Sequence, residues 1–373
     1  MSDYKRCTVC VMDNQGDATI TFDKNGQCKY CQQAASLVKN LPEPGDDSKL
    51  KAVFDQIKLE CKDQQYDCLI GVSGGLDSSY IVYLGHKYGL RMLGFHLDDG
   101  LDTPIAKENI RKLCEKTGLT LINMKPDREQ YSDLTLSFLK ASLPDLAVPQ
   151  DNMILAAQMD AIQKYKMKYL LHGVNLSMES ITFAGTSVSA LDLTHIQAIQ
   201  KQFSGKPINK LRLTNYFENI LKRKLNKNIS VIKPLNMIDY RMDTAIQELQ
   251  DFCGYEYYGG KHHESVLCRF MQCWYLPEKF GVDKRKSHFS SLIVSKQMTR
   301  NEALEALERS GYPNQELLEA DCNTLAAFFG ISREEFDRLV AQPPRNHGEY
   351  PQSFFATKVV PFIIDFRHIF LKK

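Results

Sequence analysis

Gly71-Val72-Ser73-Gly74-Gly75-Leu76-Asp77-Ser78 follows the short apolar run Cys68-Leu69-Ile70 and opens a segment, Ser78 to Tyr88, whose apolar residues Tyr80, Ile81, Tyr83 and Leu84 recur at helical spacing before Gly89. A glycine-rich turn between a strand and a helix has a specific physical meaning. The first amides of a helix have no intrahelical partner and the helix dipole adds partial positive charge there. Glycines let an anion approach the backbone without a Cβ in the way. The result is a phosphate cradle at the carboxyl end of a strand. A loop of the G-x-x-x-x-G-K-[ST] kind would place a lysine here. This one places Asp77 instead, and an acid beside phosphates requires a bridging divalent cation. The reading is a nucleotide with Mg²⁺, held through Gly71, Ser73, Gly74, Gly75, Asp77 and Ser78.

Outward from the loop, strand and helix alternate. Met92 to Leu97 reads as a second strand and Leu119 to Ile122 as a third. Ile154 to Lys166 reads as a helix and Tyr169 to Leu171 as a fourth strand. Thr103-Pro104 opens a helix between the second and third strands, with threonine at the cap and proline in the first turn. This alternation predicts an α/β fold with a parallel, doubly wound sheet. Two further sheet ends face the same pocket. Asp98 follows the second strand, and His172, Gly173 and Asn175 follow the fourth. As Asp-Gly also makes plain turns, each is a candidate nucleotide contact and no more.

The S-G-G-x-D-S loop in this context resembles the PP-loop ATP pyrophosphatases, of the adenine nucleotide alpha hydrolase-like (HUP) type. That resemblance implies cleavage of ATP between its α- and β-phosphates, with AMP handed to a substrate oxygen.

Cys7-x-x-Cys10 and Cys28-x-x-Cys31 form two matched knuckles. Four thiolates so arranged suit a closed tetrahedral Zn²⁺ site, structural rather than catalytic. Ala18 to Phe22 and the turn Asp23 to Gly26 suggest a hairpin between the knuckles, as in a zinc ribbon. The 373 residues carry 11 cysteines, and an odd, unevenly spaced set argues against a secreted disulfide framework. No signal peptide or membrane-length apolar run is read; the late stretch Pro361 to Leu371 is broken by Asp365, Arg367 and His368. A cytoplasmic protein without a membrane span is expected. The formal net charge of +2 gives no global pull toward nucleic acid. A basic cluster at Lys201, Lys206, Lys210, Arg212, Lys222, Arg223, Lys224 and Lys227 reads as a solvated helical face.

After about residue 240 the pattern is mostly helical. Thr299-Arg300-Asn301-Glu302 and Ser332-Arg333-Glu334-Glu335 are capping boxes. Before them, Tyr258-Gly259-Gly260-Lys261-His262-His263-Glu264-Ser265 packs glycines, a cation, two histidines and a carboxylate into one loop, poor material for a core. The expected organisation is a zinc ribbon over 1–45, a PP-loop ATP-binding domain over 46–240 and a mostly helical region over 241–373 that completes the active site.

The cysteine knuckles, S-G-G-L-D-S, Y-G-G-K-H-H-E-S, R-F-x-Q at Arg269 to Gln272 and Ser290 to Ser295 with Thr299-Arg300 together look like the N-acetyl sugar amidotransferases, across nearly the whole chain. Lys296 departs from the pattern where a glycine is expected. The resemblance implies conversion of an acetamido group to an acetamidino group on a nucleotide sugar, during bacterial surface-glycan synthesis. It implies ammonia from a separate glutaminase subunit, since no amidase-type cysteine is found here. Lys261 and Arg269 would balance phosphate charge, and His262, His263 or Glu264 would move protons. A zinc-ribbon tRNA thiolase is the competing reading; it needs catalytic or cluster-binding cysteines near the loop, whereas Cys68 lies on the preceding strand and Cys114 on a helix, where small buried thiols are common. A nucleotide-fold adaptor without activity is a second.

Overall fold

The computed structural model describes residues 4–183, 186–225 and 229–359, leaving aside the side chains of 221–225. Five strands form one sheet: β1 (Cys68–Gly71), β2 (Met92–Leu97), β3 (Thr120–Met124), β4 (Tyr169–Leu171) and β5 (Ser230–Ile232). Their order is β3-β2-β1-β4-β5 and every pairing is parallel. The chain runs outward from β1 to β3, then crosses back to build β4 and β5 on the other side. The turn after β1 therefore opens at the topological switch point, where such sheets bind ligands.

The sheet is buried on both faces, which is why its strands read as apolar runs rather than alternating ones. Alternate residues still separate. Cys68, Ile70, Met92, Tyr169 and Leu171 point into one core, shared with the helices Ser48–Glu60, Leu76–Lys87 and Met242–Cys253. Leu69, Leu93, Phe95 and Leu170 point into the other, against Ala157, Met159 and Ile162 of the helix Val148–Lys164. The helix Pro104–Thr117 starts as its sequence indicates, with the Ala106 amide donating to Thr103 Oγ1 at 3.2 Å.

A third core joins the helix Arg128–Lys140 to the C-terminal helices Val266–Phe270, Gln315–Phe329 and Arg333–Val340. Ser132 Oγ donates to the Phe328 carbonyl at 2.7 Å across this junction. The segment that enters Val266–Phe270 reaches the carboxyl end of β2, where Ser265 bridges Asp102 and the Thr103 amide donates to the Glu264 carbonyl at 2.9 Å. Thr299 forms a complete capping box with Glu302. Ser332 accepts from the Glu335 amide, but the Glu335 carboxylate turns to Arg338 at 2.7 Å, so that box is half made. An exposed arginine one turn away competes for the same carboxylate.

Lys296 sits at φ +58, just beyond the C-terminus of the helix Arg285–Val294. That left-handed position is where glycine normally ends a helix. Lys296→Gly is expected to raise stability by about 1 kcal/mol, read from denaturant unfolding; a loss of stability would show that the lysine stem compensates.

Cys7, Cys10, Cys28 and Cys31 are buried, and their sulfurs lie within 4.8 Å of one another. The expected hairpin is reduced to a single antiparallel bridge, Phe22 to Cys28, closed by the Asp23–Gly26 turn with Gly26 at φ +77. Of the basic cluster, Lys206, Lys210 and Arg212 pair with Asp133, Asp127 and Asp160, while Lys201 is exposed. The side chains of Lys222, Arg223 and Lys224, and Lys227 and residues 361–371 altogether, lie outside the described residues. Among the described residues no helix is long and apolar enough to cross a membrane.

Candidate active site

The turn after β1 is held in shape from beneath. Gly74 adopts φ +75, and a Cβ there would lie 2.5 Å from the Ala106 carbonyl oxygen. Its own carbonyl accepts from Asn109 Nδ2 at 3.5 Å and from the Tyr255 hydroxyl at 3.4 Å. Gly74→Ala combines a left-handed backbone with a clash against backbone, so we expect a loss of at least ~2 kcal/mol in thermal unfolding; a variant as stable as the parent would show that the turn is pliable.

Hydroxyl groups occupy several of the turn's amides. Ser73 N–H donates to Ser78 Oγ at 3.3 Å, Gly75 N–H to Ser73 Oγ at 3.2 Å and Leu76 N–H to the Tyr258 hydroxyl at 3.1 Å. These are the donors that a helix N-terminus offers to phosphate. Gly71, Ser73, Gly74, Gly75 and Ser78 share this one short segment, with Gly71 ending β1.

Asp77, in the first turn of the helix Leu76–Lys87, is the centre of the site. Its Oδ1 accepts from the Tyr240 hydroxyl at 2.6 Å and from Asn175 Nδ2 at 3.3 Å. Its Oδ2 lies 3.7 Å from Lys261 Nζ, which also donates to Glu179 at 2.5 Å. Burial raises the Asp77 pKa, against the lowering effects of Lys261 and Tyr240. Burial pulls Glu179 upward too, but Lys261 outweighs it and leaves the pKa lowered. Two carboxylates from two different strand ends thus share one ammonium. A divalent cation suits the same donors, and Asp77 and Glu179 are the residues that would hold it beside the turn.

The other sequence candidates divide. Gly173 approaches Asp77, whose Cβ would lie 3.5 Å from a Cβ at that glycine, and Asn175 caps the helix Leu176–Glu179 while reaching Asp77. His172 is half-buried, and its Nδ1 accepts from the Val174 amide at 3.1 Å. Asp98 pairs with Lys125 at 3.1 Å. The inward carboxylate of that pair is Asp99, which accepts from the Tyr131 hydroxyl at 2.9 Å and Gln150 Nε2 at 2.7 Å.

Within Tyr258 to Ser265, the two histidines part company. His262, at φ +62, leaves its side chain 41% exposed with Nδ1 3.7 Å from Glu264 Oε1. His263 is buried against Gly260, and burial takes its pKa down to about 4. Glu264 Oε2 is buried with no hydrogen-bond partner, and its Oε1 lies 3.2 Å from where a Gly75 Cβ would stand. Arg269 does not face the phosphate turn. Its guanidinium forms a two-pronged pair with Asp321 at 2.7 and 2.8 Å, with Tyr312 on the same carboxylate. This pair is nearly closed to water, and breaking one partner of such a pair costs ~3–5 kcal/mol. Asp321→Ala is expected to lower unfolding stability by that amount; an unchanged denaturation midpoint would show that Arg269 has another anchor.

Beside Lys261 opens a cavity of about 710 Å³. Its wall includes Glu179, His262, Gln272, Lys284, His288 and Phe289, and it extends to Gly311. The helix Arg285–Val294 forms one side and rests on the cysteine cluster. Lys261, beside Asp77 and in the cavity wall with His262, is where the turn after β1 and the cavity meet.

Residues 264–360 match the family described as LPS biosynthesis protein WbpG-like, C-terminal domain. The matched residues include Glu264, Gln272 and the cavity wall from Lys284 to Gly311. Among solved structures, the chain is similar to NH3-dependent NAD synthetase from Campylobacter jejuni subsp. jejuni NCTC 11168 in complex with the nitrate ion, at 14% identity over 77% of this chain and 97% of that one, with a TM-score of 0.31. It is similar to NMN synthetase from Francisella tularensis at 13% identity over 80% and 98% of the two chains, with a TM-score of 0.31. No curated protein matches the chain.

Two participants, Tyr240 and Glu179, are absent from the sequence reading, and a third, Tyr258, was read only as part of its loop. Tyr240 and Glu179 touch Asp77 and Lys261 respectively, and Tyr258 serves as a loop cap rather than as a neutral neighbour of the glycines. Met178-Glu179 follows Asn175 within one helical turn, a signal that was available once Asn175 was singled out.

Proposed function

We propose that this protein is an ATP-dependent, AMP- and pyrophosphate-forming amidotransferase. It adenylylates the acetamido oxygen of an N-acetyl nucleotide sugar and replaces that oxygen with ammonia, giving an acetamidino sugar for a bacterial surface glycan. The observation that carries the reading is the meeting of Asp77, Glu179 and Lys261 at the phosphate-shaped turn, with a sugar-sized cavity opening beside Lys261. The match of residues 264–360 to a WbpG-like domain supports a glycan substrate.

An amide carbonyl is a poor electrophile until its oxygen becomes a leaving group. The turn and Asp77 with Glu179 would hold the magnesium-bound phosphates, and the cavity would present the acetamido group. Lys261, between the two, is placed to neutralise charge as pyrophosphate leaves. His262 lines the cavity with Glu264 behind it at 3.7 Å, and this pair would take a proton from the attacking ammonia, His262 directly and Glu264 through it. His263 and Arg269 are held inside the protein and serve its shape. In this reading residues 1–45 bind zinc and brace the cavity, 46–240 hold the nucleotide and 241–373 complete the acceptor site. A separate glutaminase subunit supplies ammonia, and no nucleic acid takes part. A tRNA thiolase would need an available thiol near the turn, whereas Cys68 is buried in β1 with its pKa raised by that burial.

Incubation with ATP, Mg²⁺, ammonium and a panel of UDP- and CMP-linked N-acetyl sugars tests the proposal. The expected product has lost about one mass unit, oxygen replaced by NH, with AMP released in equal amount. Release of ADP, or AMP without any change in the sugar, would overturn it.

A further inference from the structure

Cys273 enters the cavity wall on a π turn, Met271–Tyr275, set between the helices Val266–Phe270 and Leu276–Phe280. Such a turn re-aims side chains relative to a regular helix and is common at functional sites. Its Sγ lies 3.0 Å from His263 Nε2. His263 is wedged under Gly260, where a Cβ would stand 2.5 Å from the ring. Its Nδ1 is shut off from water and makes no hydrogen bond of standard geometry.

Burial pushes the Cys273 thiol up to about 12 and takes His263 down to about 4. Between those limits the sulfur keeps its proton and the imidazole carries one. A neutral imidazole has one bare nitrogen and one N–H. A thiol facing Nε2 fits the bare nitrogen there and leaves the ring proton on Nδ1. The backbone of Tyr258 starts the turn that carries Lys261, and the hydroxyl of the same residue caps the Leu76 amide of the phosphate turn. A chain of contacts thus runs from the cavity wall to the phosphate turn without passing through solvent.

We propose that Cys273 is a positioning residue: its thiol donates to His263 Nε2, leaves the ring proton on Nδ1, fixes the ring in place under Gly260, and so holds the 258–261 turn against the phosphate turn. The part of this inference that concerns nucleotide rests on reading the turn after β1 as the ATP site. Neither Cys273 nor His263 touches reacting atoms in this account.

The test uses the full chain with ¹⁵N-labelled histidine and the variants Cys273→Ser and Cys273→Ala. In the parent, imidazole ¹⁵N shifts, assigned by the loss of one signal set in His263→Asn, are expected to show Nδ1 protonated and Nε2 bare. Cys273→Ser keeps a donor and should keep that tautomer. Cys273→Ala should give a mixture, and the dissociation constant for Mg-ATP should rise by about five-fold, with recovery in Cys273→Ser. A parent ring protonated on Nε2, or an unchanged tautomer in Cys273→Ala, overturns the thiol's role. A changed tautomer with unchanged Mg-ATP affinity overturns the link to the phosphate turn. A parent that binds no Mg-ATP sinks the nucleotide reading and with it that link, while the tautomer measurement still decides the thiol's role.

Discussion

Replacing Asp77 with alanine is expected to lower AMP release by on the order of 10²- to 10³-fold, the usual cost of removing one preorganised group that meets developing phosphate charge. The expectation follows from how completely the protein commits this side chain. Tyr240 and Asn175 fix one oxygen, at 2.6 and 3.3 Å, and the other faces Lys261 at 3.7 Å. Burial raises the Asp77 pKa more than its neighbours lower it. The sign of the pH dependence follows. A divalent cation favours the carboxylate, so Mg-ATP affinity should fall as pH drops through the raised pKa of Asp77, beginning above the ordinary carboxylate range. For the free protein the direction reverses. The folded state binds this proton more tightly than the unfolded state, so the contribution of Asp77 to stability rises as pH falls through the same window. Calorimetric titration of Mg-ATP across that window checks both the affinity and its slope. Full turnover in Asp77→Ala, or an Asp77→Asn variant that keeps the acid limb, would remove Asp77 from the site.

The second large effect is expected at the other end of the molecule. Cys28→Ser should abolish stoichiometric zinc and loosen the helix Arg285–Val294, more than 250 residues away in sequence. Structural zinc contributes ~10–16 kcal/mol in small zinc-binding peptides, comparable with the ~5–15 kcal/mol net stability of a whole domain. The ribbon transmits its order directly. Arg300 donates to the carbonyls of Cys10 and Cys7 at 3.2 and 3.1 Å, the Val11 amide donates to Ser290 Oγ at 3.3 Å, and Lys286 pairs with the buried Asp13 at 2.6 Å. Removing the metal would strip Lys286 of its partner in a place largely closed to water. Hydrogen exchange should therefore quicken in the 285–294 helix, and acceptor binding should weaken more than Mg-ATP binding. Metal analysis and exchange on the same sample decide the matter: a zinc-free protein with unchanged exchange in that helix would show that the ribbon stands without its ion.

The turn after β1 was legible because its geometry is local: a strand, a glycine-rich turn and a helix within 20 residues leave few alternatives. The parallel sheet followed from the alternation of apolar strands and helices, whereas its order, β3-β2-β1-β4-β5, rests on long-range pairings that no local pattern shows. What stayed hidden depends on long-range partners. Arg269 reads as a phosphate ligand until Asp321, on a helix far along the chain, takes its guanidinium. His262 and His263 are the same residue type in adjacent positions, and only the packing of Gly260 and Cys273 around one of them separates a solvent-facing ring from a buried one. The helix Arg128–Lys140 was missed because its buried face includes Ser132, Thr135 and Ser137, which blur the apolar stripe; Thr135 and Ser137 bond back one turn to main chain and Ser132 donates to the Phe328 carbonyl. β5 is three residues long, too short for any pattern to register. Lys296 is the reverse case: the missing glycine was visible in the sequence, and its left-handed backbone explains why one belongs there.

The ammonium of Lys261 stands between Asp77 and Glu179 and spares the protein two adjacent uncompensated carboxylates. If the proposed site takes up a divalent cation, that uptake would be an exchange of one cation for another rather than the charging of a bare anionic hole, and Lys261, which also lines the cavity, would be free to turn toward it.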